Sequence, residues 1–166
     1  MLKWTMIVVI AVAGAVALVA LIGVFLPKGH RVSRTMTLNA PPAAVFAAIT
    51  DAARYPEWRR DVTSVELLPD AGGRRQFREN SRNGRITYRF EEVVPDRRVV
   101  TRIADPALPY GGTWTYDLKP SGPGTELTIT EDGEVYNPIF RTLSKFMSPT
   151  ATIDAYLANL ETRLGR

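Results

Sequence analysis

The residue whose type and position could do chemistry is Glu131. It follows Leu127 and Ile129 at a spacing of two in a segment with strand-like alternation, so its carboxylate is expected on the apolar face of that strand. An ionised carboxylate is costly to bury unless it is paired or protonated. Two interpretations stay open. In the first, Glu131 is a polar anchor inside a ligand cavity. In the second its role is structural, either as the partner of an inward arginine such as Arg75 or Arg141 or as a residue near the cavity rim.

Other reactive residue types are scarce in this sequence. His30 is the single histidine and precedes the predicted fold, which argues against a histidine base inside a cavity and against a histidine metal site. The chain has no cysteine, and it contains no nucleophile-elbow, phosphate-loop or zinc-protease motif. We therefore predict no metal, no cofactor and no assigned catalytic residue, although Asp, Glu or Tyr could still act as acid or base.

The chain from residue 31 onward predicts an α+β fold that begins with one strand and two short helices. Residues 31–38 alternate polar and apolar side chains, which is typical of a strand. Pro41 and Pro42 then favour the start of a helix, because proline is tolerated in a first helical turn. A second short helix or turn is expected over residues 51–58, interrupted at Pro56.

Six consecutive segments with period-two alternation follow and predict an antiparallel meander. The predicted strands are Val62–Leu68, Arg74–Asn80, Arg85–Val94, Arg97–Ala104, Thr113–Lys119 and Glu126–Val135. Turn signals separate them at Asp70–Gly73, Asn83-Gly84, Pro95-Asp96, Pro109–Gly112 and Ser121–Gly124. An Asn-Gly pair between two alternating segments is a strong hairpin signal.

The last predicted element is a long amphipathic helix. Asn137 is suited to the N-cap and Pro138 to the first helical position. Pro149 should kink or break the helix. The apolar stripe keeps its phase across Pro149, so two segments along one line are expected, with the stripe at Ile139, Phe140, Leu143, Phe146, Met147, Ile153, Leu157, Leu160 and Leu164. A twisted meander with one apolar face needs a cover, so the order β-α-α-β6-α predicts a curved antiparallel sheet wrapped on this helix.

Aromatic side chains are frequent on the inward faces of the predicted strands. Tyr and Trp bring polar tips to an apolar surface, which suits a pocket that orients its ligand with a few hydrogen bonds. The same side chains could instead form a filled core. The predicted ligand cavity comprises Trp58, Phe77, Tyr88, Phe90, Trp114, Tyr116, Ile129, Glu131, Phe140, Leu143 and Met147.

Residues 1–27 predict a membrane anchor, and residues 28–166 a single domain. Residues 4–26 carry no charge and are long enough to cross a hydrocarbon core of about 30 Å. A cleaved signal peptide is the competing interpretation, since residues 15–17 match the A-x-A pattern. The apolar segment continues well beyond that site, which favours an uncleaved anchor.

Basic residues on the two flanks of this segment predict its orientation. Lys28, Arg31 and Arg34 follow it, whereas Lys3 and the terminal amine precede it. Cytoplasmic flanks are enriched in Lys and Arg, so we predict a single-pass membrane protein with a cytoplasmic domain. The net charge of +4 comes from scattered arginines without a long basic run, and no nucleic-acid partner is predicted.

Two stretches of the sequence, TLNAPPAAVFAAITDAARYPEWRRDV and EDGEVYNPIFRTLSKFM, resemble the SRPBCC superfamily of polyketide cyclases, START lipid-transfer domains and Bet v 1-like proteins. The first is similar to the superfamily's opening strand, its Pro-Pro helix start and its turn at Asp51, Pro56 and Trp58. The resemblance covers about residues 31 to 164 and implies a helix-grip fold with a hydrophobic cavity between the sheet and the long helix. Within the superfamily, the sequence resembles a bacterial subset of small membrane-anchored proteins without assigned activity. The resemblance carries over no catalytic residue.

These observations predict a membrane-tethered, non-catalytic binding module for a hydrophobic small molecule or lipid. One alternative is an enzyme of the cyclase or dehydrase type that uses Glu131 or an inward tyrosine as acid or base. Another is an interaction domain with a filled pocket. The sequence names neither the ligand nor a protein partner.

Overall fold

The computed structural model describes residues 2–82 and 84–165. The chain begins with an apolar helix and continues as a strand, three short helical segments, six strands and two helices. The elements are α1 (Leu2–Phe25), β1 (Gly29–Leu38), α2 (Pro42–Thr50), a 3-10 turn (Ala52–Arg54), α3 (Tyr55–Trp58), β2 (Val62–Ala71), β3 (Arg74–Ser81), β4 (Gly84–Val94), β5 (Arg98–Ile103), β6 (Tyr110–Ser121), β7 (Gly124–Val135), α4 (Pro138–Ser144) and α5 (Ala151–Leu164).

The seven strands form one antiparallel sheet in the order β1-β7-β6-β5-β4-β3-β2. Strands β2 to β7 are successive hairpins, and β1 closes the sheet by pairing with β7 from Gly29 opposite Glu134 to Leu38 opposite Thr125. The predicted α+β helix-grip fold is confirmed. The hairpin predicted at Asn83-Gly84 is present, with Ser81 opposite Gly84, while Asn83 itself lies outside the described residues.

Strand β6 begins at Tyr110, three residues earlier than predicted. The glycine pair before Thr113 was expected in a turn, but both glycines pair with β7, Gly111 opposite Glu134 and Gly112 opposite Gly133. Gly112 has φ 130°, a conformation that residues with a Cβ rarely adopt. Glycine is rare inside strands, which explains why the pattern indicated a turn instead.

Helices α2 and α3 close one end of the sheet. Pro41 occupies the N-cap position of α2, and Val45 and Ile49, one turn apart, are fully buried against the strands. In α3, Tyr55 and Trp58 are both buried, and the Tyr55 hydroxyl donates a hydrogen bond to the carbonyl of Ile49 at 2.6 Å. This bond joins the two helices and keeps the Tyr55 ring directed into the interior.

The C-terminal cover of the sheet is α5. Its Ile153, Tyr156, Leu157 and Leu160 are buried, as the predicted stripe requires. The break expected near Pro149 is present, because α4 ends at Ser144 and α5 begins at Ala151.

The first half of the predicted stripe is not buried under the sheet. In α4 the buried residues are the polar Arg141 and Thr142, whereas Leu143 is 51% exposed and Phe146, just after α4, is 87% exposed. The reason is that α4 packs on α1 rather than continuing the line of α5. Helical periodicity identified the apolar residues correctly but not the surface that they face.

Helix α1 is long and apolar enough to cross a membrane over residues Lys3–Phe25, and most of it is exposed. Its C-terminal end is held by α4. Arg141 is 4% exposed and donates hydrogen bonds to four backbone carbonyls, those of Gly23, Leu26, Val135 and Tyr136. Arginine thereby satisfies carbonyls that the end of a helix leaves without partners and ties α1 to the end of β7.

Candidate functional site

A cavity of about 630 Å³ lies between the concave face of the sheet and the C-terminal helices. Strands β3 to β7 supply much of its wall, and α5 contributes Thr152 and Tyr156. Met147 lines the cavity and is 63% exposed, so the cavity opens to the surface beside α4. A volume of this size falls in the range of small-molecule sites, roughly 300–1,000 Å³.

Most of the residues predicted to form a ligand cavity lie around this one. Those that line it are Phe77, Tyr88, Trp114, Tyr116, Glu131, Phe140 and Met147. The strand members are brought together because the register places Phe77 opposite Tyr88, Tyr116 opposite Ile129 and Trp114 opposite Glu131.

The other four predicted residues lie elsewhere. Trp58 packs edge-on against Tyr55 and Tyr156 in the core, and Ile129 is fully buried there. Phe90 lines a separate hollow of about 190 Å³ on the α2 side of Phe77, and Leu143 lies exposed on α4. Alternation assigns a side chain to a face of the sheet, but it does not say whether that part of the face borders a cavity or a helix.

Glu131 is paired, but not with either arginine considered in the sequence analysis. The Nε1 of Trp114 donates to its Oε2 at 2.9 Å, and Nε2 of His30 lies 3.1 Å from its Oε1. Arg75 instead lies over the ring of Phe90, 4.6 Å from its centroid, while Arg141 binds backbone carbonyls. The prediction of an arginine partner was wrong because it used strand phase alone, and phase does not identify cross-strand neighbours.

His30 belongs to the cavity, which corrects the inference that the histidine precedes the fold. Strand β1 begins at Gly29, and His30 stands opposite Gly133 of β7. Gly133 makes room for the pair, since a Cβ on it would overlap the His30 ring and would lie 3.0 Å from Oε1 of Glu131. His30 lies close to the apolar segment and was therefore expected before the fold, but the first strand starts only three residues after Leu26.

A second polar cluster was missed in the sequence. Arg59, directly after α3, donates from Nη1 to Oε1 of Glu79 at 2.6 Å and from Nη2 to Oδ2 of Asp61 at 2.8 Å. Glu79 is 3% exposed and lies two residues after Phe77, so its strand phase could have revealed it. Its partner could not have been inferred, because Arg59 precedes it by twenty residues in a loop.

Burial sets the protonation of this cluster. Loss of hydration raises the pKa of Glu79 above its ordinary value, and the neighbouring Arg59 guanidinium only partly opposes this. Burial also raises the pKa of the cavity phenols Tyr55, Tyr88, Tyr116 and Tyr156, so all four stay protonated at neutral pH. The Tyr55 hydroxyl already donates to the Ile49 carbonyl, whereas a protonated phenol that faces the cavity, such as that of Tyr88, can donate a hydrogen bond to a ligand oxygen.

Tyr156 joins the two polar clusters and was not singled out in the sequence. Its ring centroid lies 5.8 Å from that of Trp114, and the Arg59 guanidinium carbon lies 5.4 Å from the Tyr156 centroid. A continuous path of contacts therefore runs from Glu131 through Trp114 and Tyr156 to Arg59 and Glu79. The sequence could have indicated that Tyr156 faces the interior, since it lies on the same helical face as Ile153, Leu157 and Leu160.

Residues 29–165 match the family described as polyketide cyclase / dehydrase and lipid transport. The chain belongs to this family. The match covers the seven strands, the connecting helices and α5, and it begins at Gly29, the first residue of β1. Among curated proteins, none matches the sequence of this family member.

Solved structures with the same fold include a START superfamily protein from Mycobacterium smegmatis, at 20% identity and a TM-score of 0.65, with 81% of this chain and 97% of that chain covered. The Zhui aromatase/cyclase from Streptomyces sp. R1128 has 18% identity and a TM-score of 0.61, with 82% and 96% covered. The di-domain aromatase/cyclase BexL from the BE-7585A biosynthetic pathway has 17% identity and a TM-score of 0.69, and the match covers 87% of this chain and 53% of BexL. At these identities the likeness shows a shared fold.

The cavity of this family member combines an aromatic wall with two polar clusters of different chemistry. The Arg59 cluster joins a guanidinium, which does not release its proton in proteins, to two carboxylates. The Glu131 cluster joins a carboxylate to an imidazole at hydrogen-bond distance. The arrangement supports the uptake of a mostly apolar molecule that carries a polar group, and it also contains a carboxylate–imidazole pair.

Proposed function

We propose that this protein is a membrane-tethered binding module that takes up a hydrophobic small molecule or lipid in the cavity without transforming it. The observation that carries the proposal is the aromatic cavity of about 630 Å³, which opens beside the apolar helix α1. Family membership supports the class of ligand, because the family is described by polyketide chemistry and lipid transport.

The polar groups of the cavity suit recognition. Glu131, His30 and the phenol of Tyr88 line the cavity, and burial keeps that phenol protonated by raising its pKa. A protonated phenol donates a hydrogen bond and a carboxylate accepts one, so both can bind a polar group of a ligand. We therefore infer a ligand with an apolar body and at least one oxygen-bearing group.

The tether gives this site a supply of such ligands. Molecules of this kind partition into bilayers, and a domain fixed at the bilayer surface meets them at a raised effective concentration. Because the last turns of α1 are hydrogen-bonded to α4, the cavity opening stays beside the apolar helix.

A second candidate function is favoured by one observation, the pair formed by His30 and Glu131. Nε2 of His30 lies 3.1 Å from Oε1 of Glu131, so the carboxylate can orient the imidazole as a general acid or base for a dehydration or cyclisation. Both residues line the cavity, so a bound substrate could reach them.

Native mass spectrometry of the full chain, extracted from host membranes in a mild detergent, tests the proposal. Thr152 lines the cavity and is exposed at its edge, so Thr152→Trp should obstruct it. Ala155 is exposed on the same helix away from the cavity, and Ala155→Trp is the matched control. We expect a lipid-like adduct on the parent protein and on the control, and a several-fold weaker adduct on Thr152→Trp.

The control also separates cavity binding from lipid that adheres to α1, because adhering lipid would be equal in all three proteins. A parent protein that stays bare after incubation with host lipid extract would contradict the proposal. A bound molecule that is lighter by one water than the molecule supplied would favour the enzyme instead.

A further inference from the structure

Four apolar side chains at the end of the sheet are exposed in the soluble part of the molecule. Phe140 and Leu143 on α4 are 36% and 51% exposed, and Phe146 and Met147, which follow α4, are 87% and 63% exposed. We call these four residues the α4 patch. Contiguous exposed apolar surface of this kind marks a site that contacts another apolar body.

The position of α4 along the length of α1 indicates which apolar body the patch contacts. The Thr142 hydroxyl donates to the carbonyl of Val19 at 2.9 Å, and Nη1 of Arg141 donates to that of Gly23 at 2.7 Å. Val19 lies six residues before Phe25, the end of α1, so α4 extends back along α1 by about 9 Å.

The length of α1 relative to the hydrocarbon core decides the depth at which α4 lies. The α1 span of 23 residues, Lys3–Phe25, measures about 35 Å, only slightly more than a hydrocarbon core of about 30 Å. If α1 spans the membrane, Val19 lies at the depth of the hydrocarbon or its boundary, and whatever packs beside it lies there too. We propose that the α4 patch is inserted into the bilayer beside the end of α1, so that the cavity opens directly into the lipid.

The polar residues of α4 fit this placement. Arg141 and Thr142 point toward α1 and are buried, and Arg141 is bonded to four carbonyls rather than left to face lipid. Backbone carbonyls at a helix end must find partners where water is absent, and Arg141 supplies them.

Apolar side chains near the end of α1 are exposed as well. Ile22 and Phe25 are 45% and 82% exposed, close to the turn that α4 contacts. Lys28 and Lys145 are exposed nearby, where cations meet anionic headgroups. This combination of an apolar patch, flanking cations and a transmembrane neighbour favours a bilayer over a protein partner.

Insertion gives the cavity a route of exchange. Phe140 and Met147 belong to the α4 patch and also line the cavity. Pro27 and Lys28, at the end of the apolar segment, are not part of the patch but line the cavity too. A hydrophobic molecule could therefore pass from the bilayer into the cavity without crossing water. This consequence rests on the proposed function, whereas the depth of the patch does not depend on any ligand.

Depth-dependent fluorescence quenching tests the insertion. The chain has no cysteine, so Phe146→Cys gives a single labelling site for an environment-sensitive dye in the full-length protein. Leu67→Cys is the matched control, an apolar residue 66% exposed on β2 at the opposite edge of the sheet. Both variants are reconstituted in vesicles of phosphatidylcholine and phosphatidylglycerol, with nitroxide-labelled lipid or with iodide in the water.

We expect nitroxide lipid to quench the label at position 146 at least several-fold more than the label at position 67, and iodide to show the reverse order. Equal quenching of both labels by iodide would overturn the inference. A label at 146 shielded from both quenchers would also overturn it, because a protein surface would then cover the patch. Neither result would change the adduct measured by native mass spectrometry, so the two proposals can fail separately.

Discussion

Two of the carboxylates that line the cavity have neighbours of different chemistry. Glu79 is bound by a guanidinium that keeps its proton, with Nη1 of Arg59 2.6 Å from its Oε1. Glu131 is bound by an indole and an imidazole, and its side chain is 21% exposed. Glu79 is therefore held in a buried ion pair, whereas Glu131 is partly exposed in the cavity beside two ring nitrogens.

The raised pKa of Glu79 predicts a pH-dependent stability. A carboxyl group whose pKa is higher in the folded chain than in the unfolded chain contributes stability that is fully present below the unfolded value, ordinarily 4.5. That contribution is lost as the pH rises through the folded value. We expect Glu79→Gln to remove the loss, so that its Tm relative to the parent protein rises from about pH 4 to pH 7.

Thermal unfolding of the full chain in detergent, followed by circular dichroism, measures this difference. Glu66→Gln is the control for the loss of a negative charge, because Glu66 is exposed and makes only surface ion pairs with Arg78 and Arg85. A difference in Tm between Glu79→Gln and the parent that stays constant with pH would show that burial does not govern this carboxyl.

At the scale of elements, α4 acts as the joint between the apolar helix and the domain. It lies within van der Waals contact of α1 because Gly23 has no side chain, and a Cβ at that position would overlap the Pro138 carbonyl. Arg141 then bonds to α1 and to the end of β7 at the same time. The apolar helix α1 and the domain are therefore joined by side-chain hydrogen bonds and close packing as well as by the chain between them.

Substitution of Gly23 tests this joint. Gly23→Leu should push α4 away from α1 and destabilise the contact by about 1–3 kcal/mol, as overpacking does. Gly14→Leu is the matched control, since no atom of the described residues lies within 4 Å of a Cβ built there and both changes add the same apolar side chain. In vesicles, we expect trypsin to cleave after Lys28 several-fold faster in Gly23→Leu than in Gly14→Leu. Equal cleavage rates would mean that α4 does not hold the end of α1.

At the scale of the whole molecule, the predicted arrangement is one membrane crossing with the domain on the cytoplasmic side. Lys28, Arg31 and Arg34 lie on the domain side of α1. Arg31 and Arg34 also pair with Asp132 and Asp154. The positive-inside rule counts Lys and Arg and gives little weight to acidic residues, so these pairs leave the prediction unchanged.

Cysteine labelling in intact cells tests orientation and retention together. We expect a membrane-impermeant maleimide to label Leu2→Cys in intact cells and Leu67→Cys only after lysis, because the predicted arrangement places the two positions on opposite sides of the membrane. The reverse pattern would place the domain outside the cytoplasm. Loss of the residue-2 label from the purified protein, with the domain intact, would show that the apolar segment is cleaved.

The sequence determined the order of elements in this protein, because local periodicity and turn chemistry suffice for that. Period-two alternation located the six meander strands, and Pro41, Asn137 and Pro149 located helix boundaries close to the observed ones. The family resemblance given by the residues around Asp51, Pro56 and Trp58 agrees with the matched residues 29–165.

The tertiary structure alone decided which side chains meet. His30 reaches Glu131 because β1 pairs with β7 across 101 positions of sequence, and Arg59 reaches Glu79 from a loop. The apolar residues of α4 face outward because α1 provides the surface on which Arg141 and Thr142 are buried. Periodicity reports which residues share one face of an element, but contacts between distant elements depend on register and packing, which no local pattern contains.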